Sequence, residues 1–238
     1  METLLYSAFR AVRSLFTPGM MIIFIQSILL TVAALVGFVF ASSAFFTWLA
    51  HALQGHAVLS SILPWLGGVG STMVAWMLFP GIMPILVSFF DDRIALIIEE
   101  RDYPESSQPA TRDFWRELWH DVRFSLLAVG LNILVLPLYL LPGLNLILFY
   151  WLNGYLLGRE FFSMVARRHM PVRESDAAYR RHSMLILTAG LVLAVLATIP
   201  IANLFAPFWG IAVMVHLYHR VEPTAKVEYL SPQIPHRP

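Results

Sequence analysis

Residues 14–90 contain no Lys, Arg, Asp or Glu, a run of 77 residues in which only His51 and His56 titrate near neutral pH. A helix crossing a bilayer needs about 20 consecutive apolar residues, so the run holds two full spans and a connection. The first span reads as residues 20–47, rich in Ile, Leu, Val and Phe. The second reads as residues 65–90 and contains Gly67, Gly68, Gly70, Pro80, Gly81 and Pro84. Residues 49–61 connect them and carry both histidines and Gln54. Arg10 and Arg13 precede the first block as they would a secretory signal. Its apolar stretch of about 27 residues is too long for that, since a signal core has roughly 7–15.

The rest of the chain agrees. Of 238 residues, 58% are hydrophobic and 13% are charged, against about half and a quarter in soluble domains. Cysteine is absent, which excludes disulfides, iron–sulfur clusters and thiol nucleophiles. A net charge of +1 gives no pull toward nucleic acid, and no such partner is expected.

Two further charge-free runs, 124–158 and 183–218, are each interrupted by proline. Pro137, Pro142 and Gly143 split the first into arms of 13 and 15 residues, and Pro200, Asn203 and Pro207 split the second into arms of 17 and 11. Proline inside a helix removes a backbone hydrogen bond and clashes with the preceding turn. An arm of 13–15 residues reaches about 20–22 Å, short of a hydrocarbon core of about 30 Å. Residues 124–158 and 183–219 are therefore expected to form two proline-broken helical hairpins that cross the bilayer only in part; two pairs of slightly short spans are the alternative. The fold class is all-α integral membrane, with two long transmembrane helices and these two hairpins in a single membrane domain over 1–222.

Charge placement sets the topology. With two spans and two returning hairpins, the N-terminus, residues 91–123, residues 159–182 and the tail share one side of the membrane. All 15 arginines and the sole lysine, Lys226, fall on that side, which the positive-inside rule makes cytoplasmic. Residues 1–17 place Leu5, Phe9, Val12 and Phe16 on one helical face and read as a helix lying in the interface. In the segment 91–123, Pro104, Ser106, Ser107 and Pro109 mark a polar stretch. From Arg112, the residues Phe114, Leu118 and Val122 stand at helical spacing beside Trp115 and Trp119, a second interfacial helix. Residues 223–238, with four prolines, read as a flexible tail.

No catalytic constellation is visible, so an enzyme is not expected, nor any cofactor. Residues 67–72 are glycine-rich but lack the lysine of a phosphate loop, and close helix packing is the better reading. His51 and His56, or His216 and His219, have no zinc-site spacing, so no metal is expected. Gly154 and Gly158 form a GxxxG pair suited to close helix approach, either between hairpins or between subunits of a homo-oligomer. Asn132, Asn145, Asn153 and Asn203 carry amides at membrane depth or near the hairpin apices, where each needs a hydrogen-bond partner. With Arg159, Glu160, His216 and Arg220 they make the polar set from which a pore is expected to be lined. Exposed amides at broken-helix starts would hold an anion without a full charge in the bilayer.

The segment Asn153-Gly154-Tyr155-Leu156-Leu157-Gly158-Arg159-Glu160-Phe161-Phe162, followed by Arg167-Arg168, resembles a hallmark of the CysZ-type sulfate permease family, which shares its domain with the etoposide-induced membrane proteins. So does Ile199-Pro200-Ile201-Ala202-Asn203-Leu204-Phe205-Ala206-Pro207, running on to Val215-His216-Leu217-Tyr218. The resemblance spans about residues 5–222. It implies a bacterial inner-membrane protein, multi-pass with cytoplasmic termini, that oligomerises and takes up sulfate or a related small anion without nucleotide hydrolysis. The permeases hold sulfate at a Pro-Gly-Leu-Arg-Arg-like stretch, matched here by Pro18-Gly19-Met20-Met21-Ile22, without either arginine. Pro18, Gly19 and Met20 are thus the anion-binding candidates. A non-transporting membrane scaffold or stress-related assembly protein of the same family is the alternative.

Overall fold

The computed structural model describes residues 2–53, 56–106 and 114–222. Gln54, the positions Ser107, Pro109 and Arg112 of the polar segment, Lys226 and the tail 223–238 lie outside them. The described residues are helical: α1 (Glu2–Leu15), α2 (Pro18–Ala52), α3 (Ala57–Trp65), α4 (Ser71–Val87), α5 (Asp91–Asp102), α6 (Phe114–Val135), α7 (Leu144–Ala166), α8 (Val172–Arg181), α9 (Ser183–Thr198) and α10 (Pro200–Val221). Among them, Pro18–Ala52, Val58–Phe79, Leu118–Leu140 and Pro200–Val221 are long and apolar enough to cross a membrane. α8 and α9, meeting at 87°, form a bent pair that would make a fifth. The chain is a multi-pass all-α membrane protein.

Two compact units divide it, residues 1–20 with 91–238 and residues 21–90. In the smaller, α3 runs into α4 through a five-residue π-turn, Leu66–Gly70. Gly67 lies so close to α2 that a Cβ there would sit 2.8 Å from Phe46 Cβ and 3.0 Å from Ser43 Cα. The hydroxyls of Ser43 (2.6 Å) and Ser71 both donate to the Gly67 carbonyl, which the widened turn presents to them. The apolar span here begins at Val58, earlier than the block 65–90 read from the sequence, because the helix accepts Ser60 and Ser61 that read as connection.

In the larger unit the two hairpins dock through glycine. A Cβ on Gly154 would meet Leu191 Cα at 3.0 Å, and one on Gly158 would meet the Ile186 carbonyl oxygen at 2.7 Å. From α9, a Cβ on Gly190 would strike the Gly154 carbonyl oxygen and approach Gly158 N and Cα at 2.8 Å. Backbone touches backbone, so no side chain fits. α10 then lies among α1, α5, α7 and α9, and every residue from Ala206 to Tyr218 is buried.

The arms differ in length from their sequence reading. α6 and α7 have 22 and 23 residues because the helices take in polar flanks, 114–123 and 159–166. A helix of that length reaches about 33–35 Å. α10, at 22 residues, starts at Pro200 and runs through Pro207, so the second apex is Ile199 alone, held extended (φ −95°, ψ 114°) by the proline after it. At the first apex, Pro137 lies in the 3₁₀ turn Leu136–Leu140, and Gly143, at φ +86°, opens α7 in a conformation that favours glycine.

α1 has a buried face of mostly small and polar residues and an exposed apolar one. Leu4, Ser7, Ala11 and Ser14 are buried, and α1 packs along α10. Leu5, Phe9, Val12 and Phe16 are exposed, the face suited to a lipid interface.

Gly190→Ala should destabilise the fold by about 2–3 kcal/mol or more, the cost of overpacking against backbone that cannot yield. Gly130→Ala, with nothing within 4 Å of its Cβ, should cost nothing and gain up to about 1 kcal/mol of helix propensity. Unfolding of the two variants in mixed detergent checks the contrast.

Candidate functional site

A cavity of about 220 Å³ opens where the start of α5, α6 and α7 come together. The polar groups around it include Asp91, His120, Asp121, Ser125, Arg159, Glu160, Ser163 and Arg167. Asp91 opens α5, where a carboxylate suits the positive end of the helix. Arg159, Glu160 and Ser163 belong to α7, and Arg167 is the residue that follows its end.

The cations of the cavity are oriented but not saturated. Arg167 reaches Asp121 at 2.7 Å. Arg159 lies 3.6 Å from Asp176, donates to the Tyr155 hydroxyl at 3.2 Å, and stacks over Phe124 (5.0 Å) and Tyr179 (5.6 Å). Its Nε is buried and has no hydrogen-bond partner among the described residues, and the same holds for Ser163 Oγ. Donors without partners at a cavity wall are what a bound anion or water would satisfy. Burial, then the charges of Glu160 and Asp92, pushes the Asp91 carboxyl up to about 7, so it gains and loses its proton near neutrality.

A second polar cluster lies inside the larger unit, where α1, α5 and α10 meet the turn after α7. His216 is fully buried; its Nδ1 bonds the Tyr103 hydroxyl at 3.0 Å, and its Nε2 lies 3.2 Å from Ser14 Oγ and 3.7 Å from Asp102. Arg10 and Arg101 flank Asp102 at 3.3 and 2.9 Å. Beside them Glu99, 1% exposed, receives Arg168 at 3.1 Å and His169 at 2.7 Å, with His219 at 3.6 Å. Burial would raise the Glu99 carboxyl. Hydrogen bonds from His169 and His219 and the charges of His169 and Arg168 outweigh that and hold it down at about 2.

Of the residues singled out in the sequence, Arg159 and Glu160 share the cavity and the others do not. His216 belongs to the buried cluster, and Arg220 lies 4.4 Å over the Tyr6 ring of α1. Asn132 and Asn153 donate to carbonyls of their own helices, Ala128 and Phe149, each at 2.8 Å, and Asn145 accepts from the Leu146 amide. Asn203 sits in the first turn of α10, where its backbone N–H donates to the Ile199 carbonyl at 2.8 Å. Pro18, Gly19 and Met20 form the first turn of α2; Met20 is 1% exposed, and a Cβ on Gly19 would meet Ile97 at 3.1 Å. Gly154 and Gly158 face α9. Asp91, His120, Ser163, Glu99 and His169 escaped the sequence reading because each gains its meaning from residues that only the fold brings beside it. A dense run of acids over 91–121 was the only local signal for Asp91, Glu99 and His120.

Comparison with known proteins gives one match. The family described as Sulfate transporter CysZ/Etoposide-induced protein 2.4 matches residues 7–207. No curated protein and no solved structure matches the chain.

The raised Asp91 group makes a signed prediction. A carboxyl held above its unfolded value favours the native state below pH 4, and that contribution disappears as pH rises through about 7. Asp91→Asn should therefore be more stable than wild type at pH 8, by about 1–2 kcal/mol after solvent screening, with the advantage gone at pH 4. Thermal unfolding at both pH values checks it.

Proposed function

Since the chain belongs to the CysZ-type sulfate transporter and etoposide-induced protein family, we propose that it is an inner-membrane permease or channel for sulfate or a related small anion. The family match over residues 7–207 carries this reading. Movement runs down a gradient or is driven by a partner, since no nucleotide-binding motif occurs in the sequence, and it needs no catalytic centre. The arginine bias supports cytoplasmic termini, and the cavity then lies toward the cytoplasmic ends of the hairpins. Arg159 and Ser163 supply donors to an oxyanion there, and Arg167 supplies a second positive charge. When Asp91 takes up its proton, one of the three carboxylates that would repel the anion is neutralised. α6, none of whose described side chains is buried, offers a face to lipid or to a second copy in a homo-oligomer.

A non-transporting scaffold is the second reading, and one observation favours it. Where the sulfate permeases carry an arginine pair, this chain has Met21 and Ile22; beside them Met20 is buried and Gly19 is packed on Ile97.

Labelled-sulfate uptake in proteoliposomes separates the two. The permease reading expects saturable uptake above empty vesicles, reduced about tenfold or more by Arg159→Gln, the loss of about 1.4 kcal/mol or more of anion binding. Wild-type protein that moves no more sulfate than empty vesicles supports the scaffold.

A further inference from the structure

Glu99, His169 and His219 come from three separate stretches of chain: the last turn of α5, the turn after α7 and the last turn of α10. We propose that they form a binding site for one divalent transition-metal ion of the zinc class, held by a carboxylate oxygen and two imidazole nitrogens. Their three donor atoms lie within 4.8 Å of one another. His169 Nε2 and His219 Nε2 are both directed at the same oxygen, Glu99 Oε1, at 2.7 and 3.6 Å. Ligands on a tetrahedral zinc ion with bonds of about 2.0–2.2 Å stand about 3.3 Å apart. The observed separations bracket that spacing, so small side-chain shifts would admit the ion.

The surroundings hold the donors in place. Tyr103 stacks on the His219 ring at 4.1 Å and Tyr218 on the His169 ring at 5.0 Å, and the two imidazoles meet edge to face. Arg168 holds the other carboxylate oxygen, Glu99 Oε2, at 3.1 Å, an outer contact of the kind that orients a metal-binding carboxylate. Its charge does not bar a cation, because Asp92 also neutralises it at 3.0 Å. Two imidazoles and one carboxylate suit zinc and its neighbours rather than calcium or magnesium, which take oxygen ligands. Three protein ligands leave a fourth position for water. On binding, the proton between His169 Nε2 and Glu99 Oε1 leaves to solvent and the freed nitrogen lone pair goes to the metal.

The test uses the full chain, purified in detergent and stripped with a chelator. Titration with Zn²⁺ should show one ion per chain and a raised unfolding temperature, since an ion binding only the folded state stabilises it. His169→Gln and His219→Gln should each weaken Zn²⁺ binding at least tenfold, and His182→Gln should leave it unchanged. Absence of stoichiometric binding by wild type, or equal loss in all three variants, overturns the site and leaves an ion-pair cluster. Should the two cluster variants fail to fold, X-ray absorption of zinc-loaded wild type decides. A shell of two imidazole nitrogens and carboxylate oxygen supports the site; a shell without imidazole overturns it.

Discussion

Glycine against backbone is the contact from which the larger unit is built. In lipid there is no hydrophobic force to drive one apolar helix onto another, so association depends on how closely the surfaces fit. Gly154, Gly158 and Gly190 remove side chains from both partners at once, and α7 and α9 meet through their main chains. That docking sets α10 alongside α7 and α9 and leaves it enclosed by α1 and α5 as well. Once α10 is enclosed, His216 can sit at zero exposure within an apolar helix, because neighbouring helices supply its partners.

Hydropathy alone does not tell two of the helices apart. α10 and α6 both qualify as spans by length and composition, yet 72% of the first window is buried inside the protein and none of the second. α10 is apolar because it is a protein core. α6 is apolar because its surroundings are. The difference is legible in small signs: α10 carries Ala206, Gly210 and Ala212, which allow close neighbours, while α6 presents Leu126, Val129, Ile133 and Leu134 outward.

The sequence discloses the fold because exclusion of charge from hydrocarbon acts on every residue, and its mark is local. Prolines announce the apices for the same reason, although Pro207 shows that a proline near a helix start need not end it. Polar sites are a different matter. Glu99 meets Arg168 and His169 across about 70 residues of chain, and nothing in the spacing of either segment encodes that meeting. The four asparagines show the converse. Their need for partners at membrane depth was readable, but in Asn132 and Asn153 the helix's own carbonyls meet it, so amide content alone does not locate a pore.

The π-turn at Leu66–Gly70 has a consequence for how this chain can change over time. Such a turn is an α-helix holding one surplus residue, and it offsets all that follows by about a quarter revolution. A one-codon loss within it would restore regular winding and still translate as continuous helix. The register of α4 against α2 would nonetheless rotate, and the Gly67 carbonyl would turn away from Ser43. Length within this stretch is therefore constrained as tightly as residue identity.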